Sequence, residues 1–198
     1  MVTAVTDIRR NGSRQVPYAC PTSSLPVDFL VMSATGSMTT WAPTTADGAV
    51  MWEIVSASPF LDVNSRYAYV LWCRDFAATS IVARLDDRVV GFVTGYVRPD
   101  QPDTLFVWQV AVHEEARGKR AASTMLDDLV ARVGVPYLET TVTDDNAASL
   151  AMFAGLAKRT GTSMERTELF GESELGTEHE PEYFYRIGPM DLKTLTRR

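Results

Sequence analysis

Nine consecutive residues, Thr104-Leu-Phe-Val-Trp-Gln-Val-Ala-Val112, form an almost wholly apolar run without a single charge. A run this short and this apolar is expected of a strand buried on both faces. It leads through His113-Glu-Glu-Ala116 into Arg117-Gly-Lys-Arg-Ala-Ala122. A helix is expected from near Lys119, with Ala122, Met125, Leu126, Leu129, Val130 and Val133 on one stripe and Gly134-Val-Pro136 ending it. A buried strand feeding a short loop into a helix start presents several backbone N–H groups in a concave array. Together with the positive end of the helix dipole, that array suits a pyrophosphate. Arg117, Lys119 and Arg120 add charge beside it, and Gly118, Ala121 and Ala122 let a ligand come close to the backbone. A basic helix start standing alone would more simply be solvated. The apolar strand ahead of it and the small residues within it shift the balance toward a ligand.

The flanking segments predict an α/β domain. Thr44-Thr-Ala-Asp47 stands as a cap before Val50, Met51, Ile54 and Val55, and Asn64-Ser65 before a second helix with Tyr67, Tyr69, Leu71 and Trp72. Ser80–Leu85 and Arg88–Val97 read as two strands joined by a tight turn at Asp86-Asp87. Arg98-Pro-Asp-Gln-Pro-Asp103 reads as a breaker. After the central helix come a strand over Tyr137–Val142, a helix capped by Asp145-Asn146 and running through Leu150, Phe153 and Leu156, and a closing strand over Glu182–Ile187. This order is not that of a doubly wound Rossmann sheet. Residues 1–40, rich in Pro, Ser, Thr and Gly, are expected to form a poorly ordered extension, and residues 41–198 one domain.

The net charge of -6 and pI near 5.0 argue against a general nucleic-acid binder. Cys20 and Cys73 have no metal-ligand spacing, and Cys73 lies in an apolar run suited to a buried, reduced thiol; no metal is expected. No signal peptide and no run of about 18 apolar residues is visible, which points to the cytoplasm and away from a membrane.

The segment from Val110 to Ala122 resembles the acyl-CoA-binding segment of the GCN5-related N-acetyltransferase superfamily, whose loop reads Arg/Gln-x-x-Gly-x-Gly/Ala. That pattern falls here on Arg117, Arg120 and Ala122, with Arg120 where glycine is usual. The resemblance implies a central mixed, mostly antiparallel sheet flanked by helices, and acetyl-CoA as cosubstrate. Further blocks, Leu61-Asp-Val-Asn-Ser-Arg-Tyr67, Phe76-Ala-Ala-Thr-Ser80, Gly91–Tyr96, Pro102–Val112, Leu138-Glu-Thr-Thr141 and Asp145-Asn146, are together similar to the L-2,4-diaminobutyrate acetyltransferases. This narrower likeness spans about Pro43 to Ile187. It implies acetylation of the side-chain (N4) amine of a diamino acid, on the route to ectoine, by a homodimer.

A substrate with two amines and one carboxylate needs groups of both signs. Asp62 can pair with an ammonium or, equally, cap the second helix. Tyr67 offers a phenol, though core packing is the simpler reading of an aromatic on a helix. Trp108 is expected to share a strand face with Phe106 and Val110, and the resemblance makes it a pocket wall. Glu139 would be costly if buried alone, so it is exposed, paired or functional. His179 reads as a solvated loop histidine, which the resemblance promotes to the substrate pocket. Val110 and Val112 are expected to offer backbone N–H groups, and Asn146 to cap its helix and touch pantetheine. Phe153 stands at a cofactor-side position where many relatives place a tyrosine acid. Glu139, Asp62 and His179 are the candidates to take the proton from the amine. Two rivals stay open: an acetyltransferase for another amine, such as a polyamine, aminoglycoside or protein N-terminus, and a non-catalytic acyl-CoA-binding module.

Overall fold

The computed structural model describes residues 37–58, 61, 63–170 and 182–195. Strands β1 (Met38–Trp41), β2 (Ile81–Leu85), β3 (Arg88–Arg98), β4 (Gln101–Val112), β5 (Tyr137–Val142), β6 (Met164–Phe170) and β7 (Glu182–Ile187) form one sheet. Their order is β1-β2-β3-β4-β5-β7-β6, and among the described residues the only parallel pair is β4 with β5.

Helices α1 (Gly48–Ser56) and α2 (Arg66–Asp75) cover one face; α3 (Ala121–Val133) and α4 (Ala147–Arg159) cover the other. Alternation along the strands separates two cores. Val82, Phe92 and Ala111 pack with Met51, Val55 and Tyr69, while Val93, Leu105, Val107 and Leu138 pack with Met125, Leu126, Leu129 and Leu156. Cys73 is a buried free thiol in the first of these, and burial pushes its pKa up to about 11.

The local signals act as chemistry requires. Thr44 and Asp47 close a capping box ahead of α1, and Ser65 accepts from the Ala68 N–H at the start of α2. Asp86 and Asp87 both adopt positive φ in the β2–β3 turn, the geometry that suits a two-residue hairpin. Gly134 ends α3 in the left-handed conformation.

Three boundaries differ from expectation. The sheet begins at Met38, inside the segment expected to be extension, because Met38–Trp41 pairs along β2 and Thr40 donates to Asp128 on α3. The breaker at Arg98–Asp103 stops neither strand: Arg98 pairs with Gln101 around Pro99-Asp100. Pro102 falls where the β3 register is interrupted, so its missing N–H costs no ladder bond there. Strand β6 has no apolar alternation to announce it. It lies at the sheet edge, where Arg166 stacks on Tyr183 of β7 and reaches Asp144.

Candidate acyl-transfer site

The site is built on a divergence within the sheet. Parallel pairing of β4 with β5 runs from Thr104–Tyr137 to Val107–Thr140 and then stops. Beyond that point β4 continues to Val112 against β3 alone, while Thr141 and Val142 of β5 pair only with β7. A wedge therefore opens between two central strands.

A bulge accompanies the opening. Thr94 pairs with Gln109 but Gly95 with Val107, so Trp108 is the extra residue of β4. A bulge adds local twist and re-aims side chains. It also shifts the alternation: Phe106 packs on Tyr96, Trp108 stacks on Trp72, and Gln109 accepts from the Tyr69 hydroxyl at 3.0 Å, all on the α1–α2 face. Val110 then packs on the α3–α4 core. Trp108 thus shares a face with Phe106 and not with Val110, because simple alternation fails across a bulge.

On the far side of the bulge the backbone is ordered for binding. The His113 N–H donates to the Val90 carbonyl at 2.8 Å, which makes that pair one whose polar groups face each other. By alternation, the N–H and C=O groups of Val112 and Val110 face away from β3, into the wedge. The Val112 carbonyl is accordingly met by Nε of Arg117 at 3.4 Å. The expected donors at Val110 and Val112 are therefore presented to the opening.

The loop beyond supplies the rest. Gly118 and Arg120 both have positive φ, and no side chain caps α3 at Arg120. The first intrahelical bond there is Thr124 to Arg120, so the N–H groups of Ala121, Ala122 and Ser123 precede it. Arg117, Lys119 and Arg120 are exposed around this end. An uncapped helix start ringed by cations fits a pyrophosphate. The same φ explains why glycine suits position 120, since a side chain there costs about 1 kcal/mol.

The structure sorts the remaining candidates. Asn146 caps α4, accepting from the Ser149 N–H at 3.1 Å. Trp108 is 38% exposed beside the wedge. Tyr67 is 71% exposed on the first turn of α2, so core packing does not explain it. Phe153, expected on the cofactor side, is 2% exposed and packs in the α3–α4 core. Asp62 and His179 lie outside the described residues.

Glu139 is paired twice. It is 1% exposed, and both carboxylate oxygens are held: Arg98 donates to Oε2 at 2.7 Å and Arg186 donates to Oε1. Arg98 also forks onto Asp100, and hydrogen bonds to Asp100 first and Glu139 second raise its pKa. Arg186 reaches Gln101 and stacks on Tyr137. Each carboxylate oxygen thus accepts a charge-assisted hydrogen bond from a guanidinium. Glu139 ties β5 to β3 and β7 and is therefore paired, one of the three states expected of it. Arg98 and Arg186, 41 and 47 residues away along the chain, could not be matched to it from spacing.

Residues 49–156 match the acetyltransferase (GNAT) family. The chain is 53% identical over 154 residues to L-2,4-diaminobutyric acid acetyltransferase of Streptomyces coelicolor, covering 75% of this chain and 91% of the other. It is 49% identical over 152 residues to the protein of the same name from Nocardia farcinica, covering 75% and 79%. A solved structure of diaminobutyrate acetyltransferase EctA from Paenibacillus lautus, in complex with its substrate L-2,4-diaminobutyric acid and coenzyme A, superposes with a TM-score of 0.74. It is 34% identical and covers 78% of this chain and 96% of that one. The chain is a member of the GNAT acetyltransferases, and within them it belongs to the family of L-2,4-diaminobutyric acid acetyltransferases.

Proposed function

We propose that the chain transfers the acetyl group of acetyl-CoA to the side-chain (N4) amine of L-2,4-diaminobutyrate, giving the N4-acetyl compound used to make ectoine. The observation that carries the reading is the wedge after Val107 and Thr140, opening next to a helix start without a side-chain cap. The pyrophosphate is held by the loop from Arg117 to Ala122, and the pantetheine arm lies along Val110–Val112. Because α3 and α4 cover one face, cofactor and acceptor meet through the sheet. The acceptor approaches from the face that carries Trp108.

The amine has a reference pKa of about 10.4 and must lose a proton before attack. Its lone pair adds to the thioester carbon, and the oxyanion forms within reach of the wedge-facing N–H groups of Val110 and Val112. Collapse breaks the C–S bond and releases the CoA thiolate, which takes up the proton that the nitrogen sheds as the amide forms. A thiol pKa of about 8.5 makes that a fair leaving group without an acid at Phe153. With both oxygens of Glu139 hydrogen-bonded to arginines, the proton passes to one of the other two candidates, Asp62 or His179.

Thiol release from acetyl-CoA, with diaminobutyrate, ornithine, lysine and spermidine compared side by side, tests the reading. Diaminobutyrate is expected to give the highest kcat/KM. No release with it would sink the proposal, and acetyl-CoA binding without turnover of any amine would favour a non-catalytic module. We further propose a homodimer, as the family resemblance implies, working in the cytoplasm where acetyl-CoA is available. Among the described residues no helix is long and apolar enough to cross a membrane. Sedimentation at working concentration reads the oligomeric state.

A further inference from the structure

Trp108 has an unusual freedom for a strand residue. As the bulged position it has no partner on β3, and β5 has already left β4 at Val107. Neither neighbouring strand therefore sets its side chain. What holds it is a second indole: Trp72 of α2 stacks on Trp108 with centroids 4.4 Å apart and planes 19° from parallel. Offset stacks of this kind have a defined geometry and measurable worth beyond burial.

Trp72 is itself anchored. Its Nε1–H donates to the Ser80 hydroxyl at 3.0 Å, and Phe76 packs beside its ring at 4.7 Å. Ser80 is fully buried, and the same hydroxyl oxygen accepts from the Gly95 N–H at 3.3 Å. Gly95 is the β3 residue at the register shift, and a Cβ there would meet the Phe106 carbonyl oxygen at 2.6 Å. Thr79 donates to the Gly95 carbonyl at 2.7 Å, and Arg132 of α3 donates to the Ser80 carbonyl. The segment ahead of β2 is thus pinned at the bulge, and Trp72 carries that fixed point out to Trp108.

We infer that Trp72 is a positioning residue that sets the acceptor selectivity of the enzyme by holding Trp108 as a rigid wall of the amine-binding side of the wedge. This rests on the reading of the site as an amine acetyltransferase. A wall held in one orientation discriminates acceptors by length. Without Trp72, Trp108 turns freely, and a diamine one methylene longer is no longer disfavoured. The cofactor side is unaffected, since Trp72 lies on the opposite face from α3 and α4.

The test uses the full chain with Trp72→Phe, Trp72→Leu and Ser80→Ala. For Trp72→Leu, KM for diaminobutyrate is expected to rise roughly five- to tenfold, the scale of one lost aromatic stack. The preference for diaminobutyrate over ornithine shrinks in step, while KM for acetyl-CoA stays within about twofold. Trp72→Phe keeps a ring against Trp108 and should recover about half of the selectivity on a logarithmic scale. The stacked indoles also predict a near-ultraviolet circular-dichroism couplet that is lost in Trp72→Phe and equally in Trp108→Phe.

If the couplet is lost in folded Trp72→Phe and Trp72→Leu while both KM values and the diaminobutyrate-to-ornithine ratio stay put, the inference is overturned. Equal rises in KM for both substrates would also overturn it, as a structural effect only. If Trp72→Leu fails to fold, Trp72→Phe and Ser80→Ala decide the matter. Wild-type turnover of diaminobutyrate is measured first, and its absence would count against the functional reading and not against the role of Trp72.

Discussion

From Leu105 to Val107, strand β4 has a partner on each side; beyond the bulged Trp108, from Gln109 to Val112, it keeps only β3. The two stretches are similar in composition, and both are flanked by core on the α3–α4 side. In the closed stretch β4 is paired on both sides, and the neighbouring charge, Glu139, is held by Arg98 and Arg186. In the open stretch the wedge-facing N–H groups are left for a ligand. One extra residue at the bulge separates the two behaviours. A sheet can therefore place a structural ion-pair cluster and a reaction site on adjoining stretches of one strand, provided the register breaks between them.

Removing an N–H from each stretch breaks this comparison most sharply. Val110→Pro deletes a donor that faces the wedge and no bond to β3, so kcat should fall several hundredfold with little change in Tm, the loss expected for one oxyanion donor. Leu105→Pro, in the closed stretch, removes a ladder bond and should chiefly lower stability. Similar losses of stability in both would mean that the Val110 N–H is not free for catalysis.

Next in size is Glu139→Gln. It leaves two arginines facing a neutral amide, and stability should drop by about 3 kcal/mol, toward the low end for breaking a buried pair because the guanidiniums are partly solvated. Turnover per folded molecule should stay within a few fold, with the pH profile unchanged. A profile that lost its acidic limb would restore Glu139 as the proton acceptor.

Arg120→Gly probes the loop that the open stretch feeds. Relief of the left-handed strain should offset the greater entropy of an unfolded glycine and stabilise the fold by about 0.5 kcal/mol. If the guanidinium replaces a lost amide contact, KM for acetyl-CoA rises a few fold and becomes less sensitive to salt. An unchanged KM would assign pyrophosphate binding to the backbone alone.

The smallest effect is expected from deleting residues 1–36, which removes no residue of either stretch or of β1. Turnover should stay within about twofold of the full chain. Extending the deletion through Trp41 removes the β1–β2 pairing and the Thr40–Asp128 hydrogen bond, and should cost stability.

Much of this protein can be read from its residues in order. The caps at Thr44, Ser65 and Asn146, the Asp86-Asp87 turn, the Gly134 stop and the apolar run of β4 are local signals. Each acts through bonds or sterics within a few residues, so each survives without knowledge of the fold. The strand–loop–helix around Arg117–Ala122 is local in the same sense, which is why the cofactor class was legible. Edge strands β1 and β6 were not, because an edge strand with one partner needs no apolar alternation.

What only the tertiary structure decided concerns pairs far apart in the chain. The bulge at Trp108 is a mismatch between two strands and leaves no mark on either one. The partners of Glu139, the stack of Trp72 on Trp108 and the opening between β4 and β5 arise when the sheet closes. The sequence determined that a buried strand would deliver a chain into an anion-binding helix start. Register, a property of two strands at once, decided that this strand would part from its neighbour at Val107 and expose its backbone there.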